Sequence, residues 1–164
     1  MLESILRPLV GLDIEAVYLV GSLGGWDEWV EGGSDPFQLL LGLSDEWLLD
    51  VRAADAGDYI WVQLTQGRSR AQALADARSP GLWGPHPMLA GDYLASLLGQ
   101  RITRVRLERD SATSAPHLSA TEKTLQLFTT QHTFTVFNYA GTGLSTDLSP
   151  GEEVAQGPYW TDVG

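Results

Sequence analysis

Residues 124–139 read TLQLFTTQHTFTVFNY. From Thr133 onward the run is Thr, Phe, Thr, Val, Phe, Asn, Tyr, and 125–129 also mostly alternates apolar with polar. β-branched and aromatic residues at a period near two predict half-buried strands. Thr130, Gln131 and His132 lie between the two runs, so the stretch reads as a hairpin. Its turn holds neither Gly nor Asn-Gly, which leaves the turn type open.

An earlier stretch, 36–51, reads as a copy. Sliding the sequence by 88 positions sets Phe37-Gln38-Leu39-Leu40 on Leu125-Gln126-Leu127-Phe128. It also sets Leu48-Leu49-Asp50-Val51 on Val136-Phe137-Asn138-Tyr139. The same shift works upstream without a gap. Leu6, Leu9, Gly11, Ile14, Val17 and Leu19 recur identically as Leu94, Leu97, Gly99, Ile102, Val105 and Leu107. One shift that aligns a helix end, a glycine and two strand patterns points to duplication. Two copies are too few for an open array, so a closed pseudo-twofold domain is expected.

Working outward, 2–10 carries Leu2, Ile5, Leu6 and Leu9 at helical spacing, with Gly11 placed to end the helix. Residues 14–20 form a strand that is apolar on both faces and so should be covered on both. A loop over 21–35 leads to the first hairpin, 36–41 and 47–53, and 58–65 adds a third strand. Residues 68–78 predict a helix with Ala71, Leu74 and Ala75 as its stripe. The Pro- and Gly-rich run 79–87 reads as a rigid linker. A second helix is expected to carry Leu89, Tyr93, Leu94, Leu97 and Leu98 and to stop at Gly99. The strand 102–108 follows, with Arg104, Arg106 and Glu108 on a wet outer face. Residues 110–123 are a second long loop. After Tyr139 the tail is loop-like, with Tyr159 and Trp160 docking where the first half has its third strand. Helices and antiparallel strands are segregated, which predicts an α+β fold of antiparallel sheets and short helices. It comprises two pseudo-symmetric helix–strand–hairpin units, about 2–65 and 88–140, linked by 66–87 within one compact domain.

The chain has 164 residues, enough for a sizeable core without staples. It has no cysteine, which excludes disulfides and thiolate metal sites. The formal charge is −11, from 10 basic and 21 acidic residues. Residues 1–82 carry 5 Arg against 13 acids, and residues 83–164 carry 5 basic residues against 8 acids. Such a field repels nucleic-acid phosphates and anionic membranes, and it suits a basic protein partner. The N-terminal run MLESILRPLVGL has no basic leader, and no segment approaches the roughly 20 apolar residues of a membrane helix. The expected location is cytoplasmic.

Few motifs carry chemistry. His86, His117 and His132 share no ligand spacing, and no HExxH or HxH pattern stands beside them, so neither a metal nor a cofactor is expected. Gly21-Ser22-Leu23-Gly24-Gly25 follows a strand, but Asp27 and Glu28 follow it where a phosphate loop needs a cation. Ser22, Ser145 and Ser149 lie outside any GxSxG elbow. Asp27, Glu28, Glu31 and Asp35 crowd one loop, whereas acid–base catalysis needs carboxylates in unlike environments. Trp47, Trp61, Trp83 and Trp160 fall in or beside apolar elements and are expected in the core.

The best candidate site is Trp26-Asp27-Glu28-Trp29 with Glu31. Tryptophan supplies a large semi-rigid contact surface, and the acids would steer a basic partner. Residues 22–36 and 110–124 are equal-length connections at matching places, and only the first has these residues. What the shared scaffold needs should appear in both copies, so the loop is expected to hold the protein's own specific contact. In composition alone the chain resembles bacterial immunity and antitoxin-type inhibitors. That implies a non-enzymatic binder of a basic protein. The alternatives are a small hydrolase-like enzyme with its site between the halves, and a self-associating structural domain.

Overall fold

The computed structural model describes residues 2–22, 36–54, 58–67, 70–78, 82–109, 122–138 and 143–164. Among them are ten strands and two short α-helices. In chain order these are α1 (Leu2–Leu6), β1 (Ile14–Ser22), β2 (Pro36–Leu43), β3 (Trp47–Ala53), β4 (Ile60–Gln66), α2 (Arg70–Asp76) and β5 (Leu82–Pro87). They continue with β6 (Ile102–Arg109), β7 (Glu122–Thr129), β8 (His132–Asn138), β9 (Leu144–Pro150) and β10 (Trp160–Asp162). Every ladder is antiparallel, and the helices stand apart from the strands, as in an α+β fold.

The strands run in two series, β5-β1-β2-β3-β4 and β10-β6-β7-β8-β9, joined where Ile60 of β4 pairs with Glu122 of β7. The sheet folds back so that β9 comes near β2. The inner faces share one core. Leu19, Leu41 and Leu49 from the first series and Leu107, Leu127 and Phe134 from the second are all fully buried in it. Strand alternation explains this, since every second residue points inward. In β1 and β6 the alternation is broken near the start, between Ile14 and Ala16 and between Ile102 and Arg104. An irregularity there reverses the phase, so Ile14 and Val17, three residues apart, both reach the core, as do Ile102 and Val105.

The two N-terminal segments close the core in matching ways. After α1 a 3₁₀ turn spans Arg7–Leu9, opened by Pro8, and another spans Ala95–Leu97. Leu6, Leu9, Leu94 and Leu97 are each fully buried. Gly11 and Gly99 follow with φ of +97° and +80°, where a side chain would be strained. The Gly11 amide donates to the Ile102 carbonyl at 2.8 Å, and the Gly99 amide to the Ile14 carbonyl at 2.7 Å. The Ile14 amide donates to Gln100 at 2.8 Å, and the Ile102 amide to Leu12 at 2.9 Å. Asp13 and Arg101 form a β-bridge between these exchanges.

Both hairpin turns depart from the usual turn residues. In the first, Asp45 (φ 56°, ψ 31°) and Glu46 (φ 61°) are both left-handed, the mirror-image geometry that matches strand twist and ordinarily takes Asn-Gly. In the second, Thr130 and Gln131 are held from outside. Gln100 reaches over to accept from the Gln131 amide at 3.3 Å, contacts Thr129 Oγ1, and meets His132 Nδ1 at 2.8 Å. Tertiary hydrogen bonds thus replace turn propensity.

Several expectations are corrected. Within the run expected as a rigid linker, 82–87 forms β5 on β1. An edge strand tolerates Pro85 and Pro87, since each edge residue has only one neighbour to bond. The second helix does not form: Gly91 has φ +95°, and Leu89 and Tyr93 are exposed. From Gly143 the described tail holds two strands, and β9 rather than Tyr159 and Trp160 pairs with β8. Trp61 is 42% exposed, because it lies on the outward face of β4, opposite in parity to the buried Ile60, Val62 and Leu64. The outer face of β6 is not open water either, since the Arg106 side chain is 11% exposed.

Candidate functional site

Trp26, Asp27, Glu28, Trp29 and Glu31 lie outside the described residues. The connection that carries them leaves β1 at Ser22 and re-enters at Pro36. At that end of the sheet β3 ends and β4 begins, so the neighbouring outward residues are Gln38, Arg52 and Trp61, which pair across β2, β3 and β4.

Here a polar network replaces core. Asp50 is only 4% exposed, and its Oδ1 accepts from Gln38 Nε2 at 3.0 Å. Arg52 closes on the same carboxylate, with Nε at 3.1 Å and Nη2 at 2.7 Å from Oδ2. That hydrogen-bonded pairing holds the Arg52 guanidinium above its ordinary range, against the opposing cost of burial. A buried carboxylate is tolerated because it is both paired and hydrogen-bonded. Trp61 stands beside Arg52 with its ring open to solvent. Sequence patterning missed it, since an aromatic in an alternating strand reads as core. The signal available was parity: Trp61 shares a face with Gln63 and Thr65, not with Ile60, Val62 and Leu64.

The basic residues of β6, with Arg101 just before it and Arg70 of α2, are committed within the chain. Arg101 grips Asp13 at 2.8 Å, and Arg109 reaches Glu3 at 2.7 Å, so both bind acids of the first half. Arg104 holds Asp162 at 2.7 Å and Glu152 at 3.0 Å. Its hydrogen bonds keep the Asp162 carboxyl below the usual carboxylate range. Arg106 donates to the Ala155 carbonyl at 2.7 Å and lies 5.1 Å from the Trp160 ring centre. Arg70 bonds Glu15 at 2.9 Å.

Among the described residues no group of three His, Asp or Glu side chains converges as metal ligands would. Ser149 Oγ donates to Asp147 Oδ2 at 3.2 Å. His132 Nδ1 faces Gln100 instead, so these groups form no nucleophile–base pair. The space between the inner faces, where an enzyme of the alternative reading would keep its site, is filled by the leucine-rich core. Among the described residues, two concavities lie on the surface. One, of about 450 Å³, is lined by Glu15, Asp45, Glu46, Trp47 and Arg70. The other, of about 490 Å³, lies over β7, β8 and β9. No helix of the described residues is long and apolar enough to cross a membrane.

No protein-family model, curated protein or solved structure matches this chain.

Proposed function

We propose that this protein is a non-enzymatic, acidic binding module acting in the cytoplasm. It docks a basic protein partner in the manner of an inhibitor or immunity protein. Trp26 and Trp29 supply the apolar contact, and Asp27, Glu28 and Glu31 steer the approach. The observation that carries the reading is the distribution of charge. The chain holds −11 overall. Yet Arg52, Arg70, Arg101, Arg104, Arg106 and Arg109 are each bonded to the chain's own acids. These six arginines are therefore spent inside the fold, and the acidic surplus is left to act outward. Trp61 adds an exposed aromatic at the end of the sheet from which the Trp26–Trp29 connection springs.

The fold beneath this site is, in the same proposal, a duplicated unit. Supporting it are the reciprocal bonds of Gly11 and Gly99 and of Ile14 and Ile102, and the matching irregularities of β1 and β6. Each five-strand series has the same order. The amides after the two edge strands, Met88 and Val163, donate at 2.9 Å to Val17 and Val105. The hairpins match at a slightly shorter shift than the strands before them, Leu39 opposite Leu19 corresponding to Leu125 opposite Leu107.

The test is co-expression with the basic product of a neighbouring gene. A stoichiometric complex should form, its association slowed by salt. Trp26→Ala with Trp29→Ala should abolish it and leave the melting temperature nearly unchanged. A double variant that melts many degrees lower would instead place these tryptophans in the core.

A further inference from the structure

We infer that the concavity over β7, β8 and β9 is a second contact surface, which receives an arginine-bearing peptide segment of a basic partner. This rests on the reading above that the partner is basic, and adds a second place where it is held.

Strand pairing assembles the surface. Gln126, Thr135 and Asp147 stand in one outward row across β7, β8 and β9, and Phe137 flanks Thr135 on the same face. Residues 151–156 run across as a strap. Gln126, 3% exposed, donates to the Glu153 carbonyl at 3.0 Å and accepts from the Ala155 amide at 3.4 Å. Thr133 Oγ1 donates to the Gly151 carbonyl and accepts from the Glu153 amide, both at 2.8 Å. The wall of the cavity is thus built before any ligand arrives, which lowers the ordering cost of binding.

Charge selects the occupant. Asp147 and Glu153 both line the cavity, and neither has a cationic partner among the described residues. The nearest arginines do not compete. Arg104 is held by Asp162 and Glu152, and Arg106 by Asp162 and the Ala155 carbonyl on the strap. The lining therefore offers two carboxylates without a cationic partner, Asp147 accepting only from Ser149, together with the hydroxyl oxygens of Thr135 and Thr146 and the half-buried ring of Phe137. Guanidinium suits that set: it is a flat cation with five donors, and it stacks on aromatic faces. A volume of about 490 Å³ admits such a side chain with part of its backbone.

The test uses a nona-arginine peptide at low salt, followed by calorimetry and by amide shifts in the full chain. The expected result is shift changes centred on Thr135, Asp147 and the strap. Affinity should fall about tenfold or more in Asp147→Asn with Glu153→Gln. The control, Asp45→Asn with Glu46→Gln, removes equal charge on the first series and should change affinity less than twofold. Equal losses in the two variants would reduce the effect to net charge and overturn the site. Tighter binding of a neutral oligosaccharide than of the peptide would overturn the ligand class. Binding lost only in Trp26→Ala with Trp29→Ala would overturn this surface and keep the loop reading. Failure of the peptide to bind at either place would overturn both.

Discussion

The two series of strands share an order and a core but differ on their outer faces. On the first, Leu40 lies between Tyr18 and Asp50, and α2 packs over it through Ala73 and Leu74, with Ala77 just after the helix and Val20 and Leu48 beside it. On the second, Gln126 lies between Arg106 and Thr135, and no helix covers it among the described residues. There the connection from β9 to β10 is a strap tied down by hydrogen bonds. Inward residues, mostly leucine, valine and isoleucine in both, set the shared architecture. Outward residues decide what lies on top: an apolar row calls a helix down to exclude water, and a polar row leaves a wet, shaped surface.

The sharpest way to break this comparison is to truncate the two centres. Leu40 is 1% exposed and Gln126 is 3% exposed, so burial alone does not separate them. Leu40→Ala should lose about 2–4 kcal/mol, the transfer term plus a cavity under α2. Gln126→Ala removes the partners of Glu153 and Ala155, whose backbone groups can turn to water, and should cost about 1–2 kcal/mol. Urea unfolding would give both values. Amide exchange should show the strap opening in Gln126→Ala with β1–β4 unchanged. Equal losses, or opening of α2 in both variants, would mean that the faces are not independent.

The next comparison is between the two glycines. At Gly11 and Gly99 no atom lies within 4 Å of an added Cβ, so space is not at issue and only the backbone conformation resists a side chain. Each Gly→Ala should therefore cost on the order of 1 kcal/mol, and the two costs should agree. A stability gain at either would remove the argument that left-handed geometry selects glycine there.

These glycines, the hairpins and the first strands of each half were legible in the sequence because their signals are local: a period near two, or an apolar stripe ending at Gly. What was not legible depended on partners. β5 was hidden by Pro85 and Pro87, which are permitted because the strand lies at an edge. β9, with Ser145, Thr146, Asp147 and Ser149, lacks the apolar alternation that flags a strand, and only pairing with β8 makes it one. The supposed helix over 89–98 had the right spacing, but Asp92 turns its start by accepting from the Leu89 amide at 2.7 Å. The outward row of Gln126, Thr135 and Asp147 is scattered in sequence and meets only through register. The loop candidate was reached by contrast between the halves. The surface over β8 and β9 needed the ladder.

A smaller effect is expected at the first hairpin turn. Asp45 and Glu46 occupy mirror-image turn positions that disfavour any side chain, whereas the Thr130–Gln131 turn is steadied by Gln100. Glu46→Gly would convert the pair to Asp-Gly, the sequence such turns prefer. Thermal unfolding should show a gain of about 0.5–1 kcal/mol, strain relief exceeding the added freedom of the unfolded chain. The same change at Gln131 should give a loss, since no left-handed residue is required there. A gain at both sites would show that general loosening, and not turn geometry, is being measured.

The smallest expected effect tests whether the halves are equivalent at their point of contact. Asp13 and Arg101 are 88 positions apart, face each other across the bridge, and are joined by bonds of 2.8 and 3.2 Å. The Arg101 hydrogen bond holds the Asp13 carboxyl below its ordinary range. A depressed carboxyl stabilises the fold above its unfolded pKa, and that contribution is lost as pH falls through the folded value. The parent and Asp13→Asn should therefore differ slightly at neutral pH and converge in strong acid. Both groups are open to solvent, so the difference should also shrink in high salt. Reversing either charge alone puts like charges together and should lower the melting temperature by a small, salt-dependent amount. If the proposed duplicated unit holds, Asp13→Arg with Arg101→Asp should recover it, because a twofold operation would exchange the two positions and return the same pair. A double variant that melts no higher than the single reversals would show that the two environments differ, and the duplicated-unit reading would lose its central support.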